Sequence, residues 1–267
     1  MINQTTTAPN RVNLDHLAVV LHQPRSPENI GAVARAIKNM GFSRLVLVRP
    51  LTLDRERMLK MATVGAATLI DHLEVFDDLP TALGPFQYIV GTTARLGGIR
   101  QGVLSPREMA RQLIDYSPRN HIALLFGPEN WGLTNQELTF CHALVNIPTA
   151  AFHSLNLAQA VLILAYEIFL ARGEAAPRPT PRLANSWELE SMYAILQETL
   201  VKINYIGHQN PAHWMRNVRR FFSRHGLKSR EVQVIKGICR QINWYGCQGV
   251  ESHNQSLKRG KHKEVKP

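Results

Sequence analysis

Five short stretches in the first 150 residues are apolar almost throughout rather than alternating. They are predicted as strands over residues 16–22, 44–48, 88–91, 122–126 and 143–147. A strand with no polar face has to be covered on both sides. The intervening segments carry helical spacing instead. In residues 28–40, Ile30, Val33, Ala34, Ile37 and Met40 make one apolar stripe, and residues 154–171 form a long apolar helix. Shorter helices are predicted near residues 58–63 and 106–113. Strands buried on both faces and alternating with helices predict an α/β fold, a mostly parallel sheet with helices on both faces.

The pattern changes after residue 172. Pro177, Pro179 and Pro181 fix φ and remove backbone donors, so residues 173–184 are predicted to form a semi-extended linker. Asn185 and Glu188 then stand at capping-box spacing, followed by Leu189, Met192, Tyr193, Leu196, Leu200 and Ile203 at helical spacing. A second helix is predicted over residues 213–224. Trp214, Met215, Val218, Phe221 and Phe222 share one side of it, and Arg216, Arg219, Arg220 and Arg224 share the other. A third runs from Ser229 to about Trp244. The expected organisation is a flexible arm (1–13), an α/β domain (14–172), the linker (173–184), a small basic helical domain (185–250) and a disordered basic tail (251–267).

Charge follows the same division. The chain carries +11 overall, yet residues 1–171 hold 14 Lys/Arg against 13 Asp/Glu. The remaining residues hold 17 against 7. An excess confined to the last third points to a polyanion such as nucleic acid, or to a solubilising tail. Cys141, Cys239 and Cys247 form no CxxC pair and have no clustered histidines, which argues against a zinc site or a disulfide framework. No metal is expected. Residues 1–13 lack a signal-peptide core, and the longest apolar run, 155–170, is interrupted by Gln159 and Glu167. A cytoplasmic protein with no membrane partner is expected.

Chemistry-bearing residues gather where predicted strands end or helices begin. Asn29 lies at the start of the first helix beside Pro27, where free N–H groups suit an anion, and Arg35 lies opposite the apolar stripe. Arg35 is therefore either a phosphate and ribose ligand or a solvated surface charge. After the strand at 122–126 comes Gly127-Pro128-Glu129-Asn130-Trp131-Gly132. Gly127 would let a ligand approach the backbone, and Glu129 is either a participant or a structural acceptor. After Ile147-Pro148, Ser154 or Asn156 either caps the long helix or bonds a ligand. Thr92-Thr93-Ala94-Arg95 follows the strand at 88–91, and small residues with two hydroxyls there suit a nucleoside. No G-x-G-x-x-G follows the first strand and no Walker A motif is present, which weighs against a generic nucleotide-binding fold.

Taken in order and spacing, these four segments resemble the motifs of the SPOUT class of RNA 2′-O-ribose methyltransferases, in its TrmH-like branch. Within that branch they are most similar to the bacterial enzymes acting on cytidine and uridine of tRNA. The resemblance spans residues 14–172 and continues through residues 186–246. It implies a trefoil-knotted α/β domain, a homodimer, S-adenosylmethionine as cofactor, and methylation of a pyrimidine at the 5′ edge of the tRNA anticodon loop (nucleotide 32). The cofactor pocket would draw on Thr92, Thr93, Ala94, Gly127, Ile147, Ser154, Leu155 and Asn156. Arg35, Asn29, Glu129, Ser154 and Asn156 match the catalytic motif positions. Arg35 and Arg95 would contact RNA, and the helix bearing Arg216, Arg219, Arg220 and Arg224 would hold the tRNA body. The chain departs from its relatives at Gly97 and Gly98, where another basic residue is usual, and at Phe152, near a tyrosine position. Two other functions compete: an rRNA 2′-O-methyltransferase of the same class, and a non-catalytic RNA-binding protein. The intact polar set argues against the latter.

Overall fold

A computed structural model describes residues 12–95, 102–151, 154–171, 182–207, 209–223 and 226–261, with side chains placed up to residue 246. Its centre is a six-stranded sheet. The strands are β1 (Leu17–His22), β2 (Leu45–Val48), β3 (Glu74–Phe76), β4 (Tyr88–Thr92), β5 (Ile122–Phe126) and β6 (Ala143–Val145). Their order is β3-β2-β1-β5-β4-β6, and every neighbouring pair is parallel. The first two helices are α1 (Pro27–Asn39) and α2 (Arg55–Ala62), followed by α3 (Ala67–Asp71) and α4 (Leu79–Leu83). The domain closes with α5 (Pro106–Tyr116) and α6 (Leu157–Leu170). Beyond them lie α7 (Ser186–Lys202), α8 (Pro211–Ser223) and α9 (Ser229–Lys261).

The two-sided burial read from the sequence is real. Leu17, Val19 and Leu21 of β1 face one core with Ile30, Val33 and Ile37 of α1, Leu113 of α5 and Leu164 of α6. Ala18 and Val20, the alternate residues, face a second core with Val46 and Val48 of β2, Leu83 of α4, and Phe86. Pleating sends successive side chains to opposite faces, so a strand serving two cores has no polar position. β3 has no such run. It is a three-residue edge strand with all three side chains at least partly exposed, and nothing in Glu-Val-Phe marked it out. The five-residue helices α3 and α4 were equally invisible, because neither is long enough to display a period.

Local chemistry fixes the helix starts. Ser26 caps α1 with Pro27 in its first turn, so Asn29 sits inside the helix rather than at its start. Ser105 with Glu108 makes a capping box on α5, and Asn185 with Glu188 makes the expected one on α7. Gly31 allows α1 and α2 to touch: a Cβ there would lie 2.0 Å from the Met58 carbonyl oxygen. Cys141 fills the space beside Gly91 and is buried, which pushes its thiol pKa up and leaves it inert.

The C-terminal helices have their own core of Leu189, Met192, Tyr193, Ile206, Met215 and Val232. Of the apolar side predicted for α8, only Met215 is buried; Trp214 and Phe221 are exposed. α9 runs to Lys261, past the expected end near Trp244 and into the segment expected to be a disordered tail. The flexible arm up to residue 11, most of the linker (172–181) and Arg224 lie outside the described residues. The helical domain is docked as well as tethered. Leu183 N donates to Asn120 Oδ1 (2.8 Å), Ser186 N donates to the Phe86 carbonyl (3.0 Å), and Trp187 packs where a side chain at Gly84 would stand. Among the described residues no helix is long and apolar enough to cross a membrane, and no His/Cys/Asp/Glu group could hold a metal ion.

His142 makes the fold acid-sensitive. Its ring packs on Tyr88, its Nδ1 accepts from Ile89 N (3.1 Å), and loss of water around the imidazole lowers its pKa to about 4. The unfolded chain binds this proton near its ordinary value of about 6.5. Stability from His142 is therefore present above that value and is lost as pH falls towards 4. We expect the wild-type melting temperature to drop between pH 7 and pH 4. His142→Gln, followed by thermal denaturation across that range, should show a shallower drop.

Candidate active site

The carboxyl ends of β4, β5 and β6 converge on one cavity of about 350 Å³. That volume falls within the usual small-molecule range of roughly 300–1,000 Å³. Side chains and backbone groups at the strand ends build its walls. Thr92 Oγ1 donates to the Leu125 carbonyl (3.2 Å), joining β4 to β5. Thr93 N donates to the Val145 carbonyl (3.0 Å), and Asn146 Nδ2 donates to the Thr93 carbonyl (2.8 Å), joining the loop after β4 to the end of β6. Thr92, Thr93, Ala94, Gly127, Ile147, Ser154 and Leu155 line the cavity, as does Arg95. Asn146 had escaped the sequence reading. The signal for it was present, a polar residue closing an apolar strand one position before Ile147-Pro148.

Gly127 lines the cavity and also has a structural role. A Cβ there would sit 2.4 Å from the Gly132 carbonyl carbon and 2.5 Å from Leu133 N. The close approach that needs glycine is the loop folding back on itself, with Gly132 at φ +67° completing the turn. The loop then places Glu129, which is partly buried. Its carboxylate accepts from Arg25 N (2.9 Å), Ser26 N (3.3 Å) and Asn29 Nδ2 (2.9 Å). Ser26 Oγ accepts from Asn29 N (3.3 Å). The donors at the start of α1 that would have suited a phosphate are thus engaged by the chain's own Glu129 and Ser26.

The network extends across 127 residues of sequence. Asn156 Nδ2 donates to Asn29 Oδ1 (3.0 Å), while Asn156 Oδ1 caps α6 by accepting from Ala158 N (2.9 Å) and Gln159 N. Asn156 is the cap, and Ser154 stands ahead of it on the cavity wall with its side chain exposed. Asn156 itself is not among the cavity-lining residues. Asn29, Glu129 and Asn156 are therefore linked by hydrogen bonds, and Ser154 shares the cavity wall with Glu129.

The predicted basic residues are more dispersed. Arg35 is exposed on α1 and does not line the cavity. Arg95 donates from Nη2 to the Trp131 carbonyl (3.1 Å) and borders the cavity there. Arg216, Arg219 and Arg220 line a separate cleft of about 620 Å³ between α8 and the α/β domain, near Tyr88 and His142. Arg219 is also bound within its own domain. Its Nη2 donates to Glu190 Oε2 (2.7 Å) and its guanidinium lies 4.4 Å from the Tyr193 ring centre. The Arg216 guanidinium approaches His213 Nδ1 (2.6 Å).

The model of the SpoU rRNA methylase family matches residues 16–166, and that of the tRNA methyltransferase TrmJ C-terminal domain matches residues 187–256. The tRNA (cytidine/uridine/adenosine-2′-O-)-methyltransferase TrmJ of Pseudomonas aeruginosa is 38% identical over 239 residues, which cover 84% of this chain and 93% of that protein. The tRNA (cytidine/uridine-2′-O-)-methyltransferase TrmJ of Salmonella typhimurium is 34% identical over 236 residues, covering 86% and 97%. Among solved structures, TrmJ from Z. mobilis superposes with a TM-score of 0.75 at 28% identity, covering 85% of this chain and 98% of that one. A probable methylase family protein from Haemophilus influenzae gives 0.58 at 30% identity, covering 87% and 98%.

The hydrogen-bond chain has a thermodynamic signature. Asn29→Ala and Asn156→Ala should each cost about 1 kcal/mol, one by unpairing Glu129 and the other by uncapping α6. Because they share the bond between them, the double variant should differ from the sum by about 0.5 kcal/mol or more. A double-mutant cycle by urea denaturation checks this.

Proposed function

This chain belongs to the SpoU methylase family and carries a TrmJ-type C-terminal domain, and from that premise we propose that it is an S-adenosylmethionine-dependent tRNA 2′-O-methyltransferase. The observation that carries this reading is the single cavity at the ends of β4, β5 and β6, with the Asn29–Glu129–Asn156 network beside it. Segments far apart in sequence contribute to that one place. The donor set fits the cofactor. Ile147, Leu155 and Leu133 offer an apolar surface for an adenine, and the backbone around Thr93 and Gly127 offers polar edges. The acceptor is a cytidine or uridine, at the 5′ edge of the anticodon loop, and the enzyme works in the cytoplasm where its tRNA is.

The chemistry asked of the protein is mainly alignment. S-adenosylmethionine supplies a methyl group already electrophilic on its sulfonium. The residues then have to hold the ribose 2′-oxygen in line with it, and good alignment contributes roughly 7–11 kcal/mol. Ser154 on the cavity wall and the loop carrying Glu129 position that ribose. A guanidinium keeps its charge in proteins, so Arg35 acts as an electrostatic partner of the adjacent phosphate and the developing alkoxide. The α8 cleft with Arg216, Arg219 and Arg220 holds the tRNA body.

Two further features belong to the same reading. Leu162, Tyr166, Phe169 and Leu170 form an exposed apolar face on α6 at helical spacing, which suits a second copy of this chain in a homodimer. β6 lies at the sheet edge, yet α6, which follows it, packs on α1 and reaches Asn29 near the middle of the sheet. That return path supports a trefoil knot.

Purified protein, labelled S-adenosylmethionine and unmodified bulk tRNA, followed by nucleoside mass spectrometry, test the proposal. A 2′-O-methylpyrimidine should appear. Arg35→Ala should lower turnover about 10²–10³-fold while cofactor affinity by calorimetry stays the same. Transfer to rRNA alone would move the substrate. RNA binding without transfer would mark a non-catalytic protein.

A further inference from the structure

We propose that a second cavity, across the loop at residues 127–132 from the first, holds a nucleotide of the RNA strand beside the methylated one. Its base would stack on Trp131, and Arg25 and Arg49 would hold its phosphates. This deepens the methyltransferase reading and rests on it.

The cavity measures about 670 Å³ and is lined by Gln23, Arg25, Arg49, Asp77, Pro128 and Trp131, among others. These residues lie just beyond the carboxyl ends of β1, β2, β3 and β5, where open α/β sheets bind ligands. Pro128 and Trp131 line both this cavity and the candidate cofactor cavity. The two spaces are thus separated only by the loop that carries Glu129.

Among the described residues, only some cations of this domain have a carboxylate partner. In the same domain Arg44, Arg55, Arg57, Lys60 and Arg107 each face a carboxylate within ion-pair distance. Among the described residues Arg25 and Arg49 face none, although both are exposed and line one cavity. The domain, nearly neutral overall, leaves two positive charges open at one spot. Beside them Trp131 is half exposed, with the Arg25 guanidinium 5.9 Å from its ring centre.

Backbone strain marks the same spot. Gln23 and Arg49 are the first residues after β1 and β2, and both have positive φ, at 51° and 49°. Neither is glycine, so each conformation costs free energy and persists because the surroundings impose it. Gln23 N donates to the Val48 carbonyl (2.7 Å) and Arg49 N to the Phe76 carbonyl (2.9 Å), which locks both loops. Two guanidinium groups suit phosphate, and an exposed indole suits a base of any sequence. Asp77 offers an acceptor to a base amino group. Together these are the parts of a site for one unpaired nucleotide.

The test uses the full chain, a tRNA transcript and the double variant Arg25→Gln/Arg49→Gln, which keeps the Arg25 backbone amide that holds Glu129. Fluorescence anisotropy should give at least a tenfold weaker tRNA affinity. The slope of log affinity against log salt should fall by about 1.4, from two single-strand phosphates at about 0.7 each. KM for tRNA should rise while kcat at saturating tRNA stays within about threefold, and S-adenosylmethionine affinity should not change. Arg111→Gln/Arg119→Gln removes the same charge from α5 and the approach to the amino end of β5, and should lose much less. Unchanged affinity and slope in the cleft variant would overturn the assignment. So would an equal loss in the control pair, or loss of cofactor binding along with RNA binding. A wild-type protein that transfers no methyl group removes the function reading instead, and the affinity comparison then decides the cleft by itself.

Discussion

The Glu129 carboxylate joins the parts of the site. It stands on the loop after β5 and accepts from two backbone amides after β1 and from Asn29 on α1, about one hundred residues away in sequence. Hydrogen bonds to a charged group contribute about 1.5–3 kcal/mol each when sheltered from water, and here they bring three segments into one register. Asn29 in turn reaches Asn156, which caps α6. Through this chain of bonds the carboxylate is connected to α1 and to the start of α6, and it stands on the loop that carries Trp131. A site whose task is alignment needs such a joint. Small displacements of a reacting atom lose rate steeply, and loops alone do not hold position as a cross-linked set does.

The same network shows where sequence reasoning reached its limit. The sheet was legible because β1, β2 and β5 serve two cores and so display unbroken apolar runs. β3, at the edge and half exposed, displayed none. Asn29, Glu129 and Asn156 were legible as polar residues at the right places. Their bonding could not be read, because the partners are backbone amides and residues a hundred or more positions away. Asn29 had been placed at the helix start, where free donors seemed ready for an anion. The structure gives that position to Ser26 and fills the anion's place with Glu129. Gly127, expected to leave room for a ligand, lines the cavity and also leaves room for Gly132. In both cases the residue type was informative and the nearest neighbour was not.

Charge was read correctly in bulk and incompletely in detail. Part of the excess in the last third lies in the described helices, and α8 turns three of its arginines to the cleft facing the α/β domain. Yet Arg219 is held by Glu190 and Tyr193, so part of its charge is neutralised within its own domain. In the α/β domain the reverse holds. A net charge near zero conceals that cations such as Arg44 and Arg57 face carboxylates while Arg25 and Arg49 face none within ion-pair distance among the described residues. Net charge counts residues, but a polyanion responds to the charges left unpaired and to their spacing. For that reason a nearly neutral domain is able to carry a local phosphate site, and a strongly basic one is able to use part of its charge to hold itself together. How RNA lies on this protein depends on the exposed groups around Trp131 and on the arginines that α8 turns to its cleft, and the first of those two places is where Gln23 and Arg49 hold positive φ.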